Sequence, residues 1–159
     1  MFKMFKAKKD ILASPVSGTA IPLKDVDDVT FASEMLGKGI AVVPSENKVV
    51  SPCDGEVALI FETGHAVSVV SKEGAEILIH IGINTVNLSG KYFTKLVTEG
   101  QSVKKGEALI EFDREAIKAE GYDITTMVII CNSSEYKEIN ALKKGDVNNN
   151  TELLSLVKK

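Results

Sequence analysis

The chain has only two histidines, and both lie in apolar, strand-like segments. His80 is in EILIHIGINTV, residues 76–86, and His65 opens HAVSVV, residues 65–70. A neutral imidazole is nucleophilic near neutrality, because its unperturbed pKa is roughly 6.5. Two of them side by side can divide a phosphoryl transfer. One attacks phosphorus and carries the group as a phosphohistidine. The other donates a hydrogen bond to the phosphoryl oxygens as charge builds. Thr63 is two residues before His65 and can accept from the far nitrogen of that ring, fixing its tautomer. Two other chemistries stay open on the residues alone. With two further ligands the pair could hold Zn²⁺, but Glu62, Glu76 and Asp54 fall on no recognisable ligand spacing, and neither HExxH nor HxH occurs. Alternatively, both rings could be structural.

The elements that must position these rings are two strands. Side chains alternate along a strand, so Ile77, Ile79 and Ile81 share one face, and Leu78 and His80 share the other. Gly82 then breaks the strand. Residues 71–74, SKEG, read as the turn of a hairpin joining the two histidine segments. With Val70 opposite Ala75, the register puts Val69 opposite Glu76 and His65 opposite His80, with Cβ atoms roughly 4.5–5.5 Å apart.

The rest of the chain is punctuated by Gly, Pro and Asp turns. Short apolar runs fall at residues 11–22, 40–43, 56–61, 93–97, 108–112, 127–131, 136–142 and 153–157. Residues 31–36 and 83–89 hold at most a turn or two of helix, and residues 114–120 form the best helix. Residues 143–150 read as a polar loop. This pattern predicts an all-β domain, a sandwich or a barrel, with a few short helical turns. ASPVSG, residues 13–18, is echoed by VSPCDG, residues 50–55, which suggests a duplication.

Composition narrows the function. At 159 residues the chain is expected to form one domain, over residues 11–159, behind a flexible Lys-rich arm at residues 1–10. Net charge is −3, and residues 10–159 carry 15 basic against 22 acidic side chains. An acidic body disfavours nucleic acid and favours a basic protein partner. No apolar run is long enough for a membrane span, and Cys53 and Cys131 read as reduced thiols of a cytosolic chain.

The histidine segments also carry a resemblance. ILIHIGINTV, residues 77–86, resembles the phosphorylation-site signature of glucose-type enzyme IIA, from the bacterial phosphoenolpyruvate-dependent sugar phosphotransferase system. SPVSG, DVDDVTFASEMLGKGIAVVP, VVSPCDGEV, IFETGHAVSV, EGQSVKKGEALIEFD and TTMVIICN follow in that family's order and spacing. The resemblance implies a compact antiparallel β-sandwich, barrel-like and built on a duplicated motif. It implies a cytoplasmic, monomeric phosphocarrier; the start at Met with no attached transmembrane or IIB segment suggests a free-standing subunit, with an excised domain as the alternative. His80 would take the phosphoryl group from HPr, the small histidine phosphocarrier, and pass it to a cysteine of enzyme IIB, from which it reaches a glucose-type sugar. His65 would stabilise the group in transfer, and Thr63 would orient His65. Phe31, Phe61, Leu78 and Val86 match the apolar rim that docks partners, Asp28 an acidic residue facing them. Asn84 stands where the family usually has Asp, and Gly90-Lys91-Tyr92-Phe93 where it often has Gly-Glu-Gly-Phe. No cofactor is required. His65 and His80 would be Zn ligands only in a complex with a partner, where the unphosphorylated form could regulate it. A lipoyl- or biotin-type carrier shares the EGQSVKKGEAL rhythm, but Lys72 at its hairpin tip lacks the flanking residues of a modified lysine.

Overall fold

The computed structural model describes residues 9–159. Most of the expected arm therefore lies outside the described residues. Its last two positions, Lys9 and Asp10, begin a strand and pair with Val157 and Leu156. The strands are β1 (Lys9–Ala13), β2 (Gly18–Pro22), β3 (Lys38–Pro44), β4 (Lys48–Val50), β5 (Gly55–Ile60), β6 (Ala66–Ser71) and β7 (Glu76–Ile81). They continue as β8 (Phe93–Lys95), β9 (Ser102–Val103), β10 (Ala108–Phe112), β11 (Thr126–Ile130), β12 (Tyr136–Ala141), β13 (Gly145–Val147) and β14 (Glu152–Lys158). Two short helices, α1 (Val29–Ala32) and α2 (Arg114–Ala119), complete the regular structure with three 3₁₀ turns. β13 lies in the stretch expected to be a polar loop.

The expected all-β sandwich is what forms. One sheet has eight strands in the order β13-β2-β3-β11-β7-β6-β5-β9. Two three-stranded sheets, β1-β14-β12 and β4-β10-β8, complete the sandwich, and all the pairings are antiparallel. β7 and β11 are the middle strands. Ile77, Ile79 and Ile81 of β7 are wholly buried in the main core, as their alternation predicts. β11 is buried along its whole length because it is covered on both faces. Val128 and Ile130 join the main core. Met127 and Ile129 join a second cluster with Leu23, Val26, Phe31, Ala41 and Ile83. α1 contributes Phe31 to that second cluster, and its N-cap is Asp28, whose carboxylate accepts from the Thr30 N–H at 2.9 Å.

The sequence echo is a structural repeat. The Ser14 hydroxyl donates to the Val16 carbonyl at 2.6 Å, and the Ser51 hydroxyl to the Cys53 carbonyl at 2.7 Å. The two turns also bond to each other reciprocally: Ala13 N–H to Pro52 O at 3.0 Å, and Val50 N–H to Pro15 O at 2.9 Å. Gly18 and Gly55 then open β2 and β5. Each of these strands pairs with the next strand in sequence and with a short outer strand, β13 or β9. The eight-stranded sheet therefore reads similarly from either edge.

The histidine hairpin forms, but one register step from expectation. Ala66, not His65, stands opposite His80, and Val69 stands opposite Ile77. The turn closes on a Ser71–Ala75 pair, with Ser71 N–H donating to Ala75 O at 2.9 Å. That leaves a three-residue loop, Lys72 to Gly74, with Gly74 at φ 95°. A left-handed third residue is what such a loop needs, and glycine supplies it. The observed register also keeps Val67 and Val69 on the same buried face as Ile79 and Ile77. The expected one would have set Val69 against the exposed Glu76.

Candidate functional site

His80 is the last outward-facing residue of β7, just before the chain turns at Gly82, φ 77°. The turn brings the Gly82 carbonyl back to the ring, and His80 Nδ1–H donates to it at 2.9 Å. A carbonyl can only accept, so the proton of a neutral His80 sits on Nδ1 and the lone pair on Nε2.

His65 reaches the same place from the other strand, despite the register step. It precedes β6, and its own carbonyl accepts from Ile81 N–H at 2.8 Å. Upstream, a tight turn returns Gly64 N–H to Phe61 O at 2.8 Å. Gly64 is at φ 74°, and a Cβ there would meet the Phe93 Cβ at 3.0 Å. That turn sets the Thr63 hydroxyl against His65 Nδ1, and the two are hydrogen-bonded. The rings of His65 and His80 lie 4.9 Å apart, centroid to centroid, and nearly perpendicular at 82°. Phe31 flanks His80 at 5.0 Å and Phe61 flanks His65 at 5.2 Å. The site is thus a row of four rings, with the two imidazoles in the middle.

Burial sets the electrostatics. His65 is 3% exposed, and desolvation, together with the neighbouring His80, pushes its pKa down to about 4. Desolvation also lowers His80, opposed by its hydrogen bond to Gly82 and by the charge of Asp28. Both rings are therefore neutral at pH 7. The pair can offer a nucleophilic Nε2 next to a second ring that is able to donate.

The other expected residues are divided by the fold. Phe61 and Leu78 are half-buried beside the pair, while Asn84 and Val86 are exposed on the turn that follows Gly82. Phe31 is 6% exposed, a buried ring against His80 rather than an open rim residue. Val29, 76% exposed, and Met35, 74% exposed, are the most open apolar groups in and just after α1. Sequence reasoning missed them, although apolar residues in so short a helix cannot all turn inward. Of the acids weighed as metal ligands, Asp54 accepts from the Lys105 N–H at 2.9 Å, a bond that holds its pKa low, and Glu76 is at the far end of β7. Among the described residues no cluster of three or more His, Cys, Asp or Glu is set to hold a metal.

The chain has relatives among known proteins. Residues 10–136 match the profile of the family described as phosphoenolpyruvate-dependent sugar phosphotransferase system, EIIA 1. The chain is 44% identical over 153 residues to the glucose-specific EIIA component of Oceanobacillus iheyensis, covering 92% of this chain and 93% of that one. It is 45% identical over 150 residues to the beta-glucoside-specific EIIBCA component of Dickeya chrysanthemi, covering 94% of this chain. The chain spans about a quarter of the length of that protein and of two further beta-glucoside-specific relatives (24%, 24% and 25%). Among solved structures, glucose permease IIA from Mycoplasma capricolum superposes with a TM-score of 0.88 at 33% identity, covering 96% of this chain and 99% of that one.

Proposed function

The chain belongs to the glucose-type enzyme IIA family of the phosphoenolpyruvate-dependent sugar phosphotransferase system, and from that premise we propose that His80 carries its phosphoryl group. The observation that supports this reading is the His80 Nδ1–H···O=C Gly82 hydrogen bond, because it leaves the Nε2 lone pair free. In the proposed reaction, Nε2 attacks the phosphorus of phospho-HPr in line. The donor's P–N bond breaks, and its electron pair returns to the donor imidazole. Nε2 of His80 carries no proton, so none has to be removed. The arriving phosphoryl charge meets the His65 ring, whose centroid lies 4.9 Å from that of His80, and favours an N–H there pointed at it. Thr63 serves His65 Nδ1 in either state, since a hydroxyl both donates and accepts. The group then leaves to a cysteine thiolate of enzyme IIB, forming the S–P bond as N–P breaks.

The partner assignment draws on the relatives that carry IIB and IIC together with IIA in one chain. The proposed docking face combines the half-buried Phe61 and Leu78, the exposed Asn84, Val86 and Val29, and the acid Asp28. Its setting is the cytoplasm, and no helix among the described residues is long and apolar enough to cross a membrane. His65 and His80 could also present two Nε2 ligands to a Zn²⁺ shared with a partner. Both Nδ1 atoms are already engaged, and a closed tetrahedral site would take its remaining donors from that partner.

The test is incubation with phosphoenolpyruvate, enzyme I and HPr, followed by intact-mass measurement and alkaline phosphopeptide mapping. The expected result is one acid-labile, base-stable phosphoryl group, mapped to His80. Label on His65, or label that persists in His80→Ala, overturns the assignment.

A further inference from the structure

The His80 tautomer depends on one carbonyl, so what holds that carbonyl matters. Gly82 O belongs to the Gly82–Ile83 peptide plane. The N–H on the opposite side of that plane, from Ile83, donates to Asp123 O at 3.0 Å. The preceding plane is held in the same way: Gly82 N–H donates to Thr125 O at 3.0 Å, and the Thr85 hydroxyl donates to Ile81 O. The contact is close enough that a Cβ on Gly82 would lie 2.8 Å from Asp123 O and 2.5 Å from Thr85 Cγ2. Two carbonyls of the segment leading into β11 therefore hold the two peptides that flank Gly82, and the Asp123 carbonyl holds the one that His80 bonds to.

That segment is fixed by one side chain. Asp123 Oδ1 accepts from the Thr125 N–H at 2.8 Å and from the Thr125 hydroxyl at 2.7 Å. The result is an Asx-type turn, which aims the carbonyls of residues 123 and 125 toward residues 82 and 83. Thr125 is 7% exposed, so its hydroxyl has little water to turn to. Hydrogen bonds at opposite ends of one peptide polarise each other. Donation from Ile83 N–H to Asp123 O makes Gly82 O a better acceptor for His80.

We propose that Asp123 is a positioning residue for His80. Its carboxylate holds the 123–125 turn, the turn clamps the Gly82–Ile83 peptide, and the clamped carbonyl keeps the imidazole proton on Nδ1. The catalytic consequence rests on His80 being the phosphoryl acceptor. The structural consequence does not, because it concerns the resting ring.

The experiment reads the ring directly. Long-range ¹H–¹⁵N correlation on the unphosphorylated, ¹⁵N-histidine-labelled full chain reports the His80 tautomer ratio. The wild type is expected to show the Nδ1–H form. Asp123→Ala should move the ratio toward Nε2–H by about fivefold, the equilibrium equivalent of one ordinary hydrogen bond. Asp123→Asn keeps an acceptor oxygen and should restore the ratio. Thr125→Val loses the hydroxyl but keeps the N–H and should fall between. Phosphoryl uptake from phospho-HPr should slow in Asp123→Ala and recover in Asp123→Asn. A lowered melting temperature with an unchanged tautomer ratio in Asp123→Ala would make Asp123 merely structural and overturn the proposal. If Asp123→Ala does not fold, an unchanged ratio in Thr125→Val does the same. If the ratio shifts as expected but no variant, nor the wild type, takes up phosphate, the positioning stands and the phosphocarrier reading fails.

Discussion

At the residue scale, the two imidazoles are chemically alike but environmentally different, and their variants should separate. His80→Gln removes the lone pair and should accept no phosphoryl group. His65→Gln keeps His80 intact, so it should still accept from phospho-HPr but pass the group poorly to enzyme IIB. Normal sugar phosphorylation by His65→Gln would reduce His65 to a structural residue. The burial that keeps both rings neutral also ties stability to pH. A His65 pKa near 4 in the folded chain, against 6.5 for an unperturbed ring, means the unfolded chain binds a proton that the folded one refuses. The stabilisation is complete above pH 6.5 and is lost as pH falls from there through 4. His80, also lowered, adds in the same direction. Thermal unfolding midpoints should therefore drop across that window, and drop less steeply in His65→Gln. A slope identical to wild type would mean that His65 protonates freely in the folded state. His80 and His65 stood out in the sequence because a histidine in an apolar alternation is conspicuous, and Thr63 because it lies two residues before His65. Phe31 was visible in the sequence, but its burial against His80 was not, because nothing local says that α1 folds inward over β11. Asp123 was missed, although Asp-Ile-Thr is the spacing of an Asx turn and was a usable signal.

At the element scale, the site is assembled by two turns, after β7 and before β6. The turn after β7 holds Asn84 at φ 61°, a left-handed conformation that Asn and Asp tolerate better than most residues. Asn84→Asp should therefore fold normally and add one exposed negative charge beside the site. Rim charge pairs are typically worth about 0.2–1 kcal/mol and act mainly on association rate. Encounter with phospho-HPr should speed up by a few-fold at low salt, and the gain should shrink as salt rises. Nearby Lys91 should not cancel this, because its ammonium lies 3.5 Å from the Glu120 carboxylate and over the Tyr92 ring. Stopped-flow transfer at several ionic strengths checks it, and an unchanged rate at low salt places residue 84 outside the interface. Most strands were legible from their apolar runs. The hairpin register was not, since it depends on whether Ser71 is counted into the loop or into the strand. β13, with Gly145 and Asp146, has too little apolar pattern to announce itself and is a strand only because β2 offers it an edge.

At the scale of the whole molecule, the repeat makes a symmetrical claim. Ser14 is 0% and Ser51 1% exposed, and each caps a carbonyl in its own turn. Ser14→Ala and Ser51→Ala should cost similar amounts, about 1–3 kcal/mol each by denaturant unfolding, because each leaves a buried carbonyl without its donor. A large asymmetry would show that the turns are alike in shape but not in load. The duplication was legible as two short motifs. Their reciprocal pairing was not, since it joins residues 13–15 to residues 50–52 through space. The position of β14 has a consequence for how the chain is made. Its residues are the last of the described strands to leave the ribosome, yet β14 is the middle strand between β1 and β12, with Leu153 through Val157 all buried. Until it emerges, the first strand has no neighbour in its sheet and one side of the core stays open. At roughly 5–20 residues per second, a nascent chain would spend on the order of ten seconds or more with its apolar strands uncovered, a period in which chaperones rather than its own contacts must keep it from sticking to its neighbours.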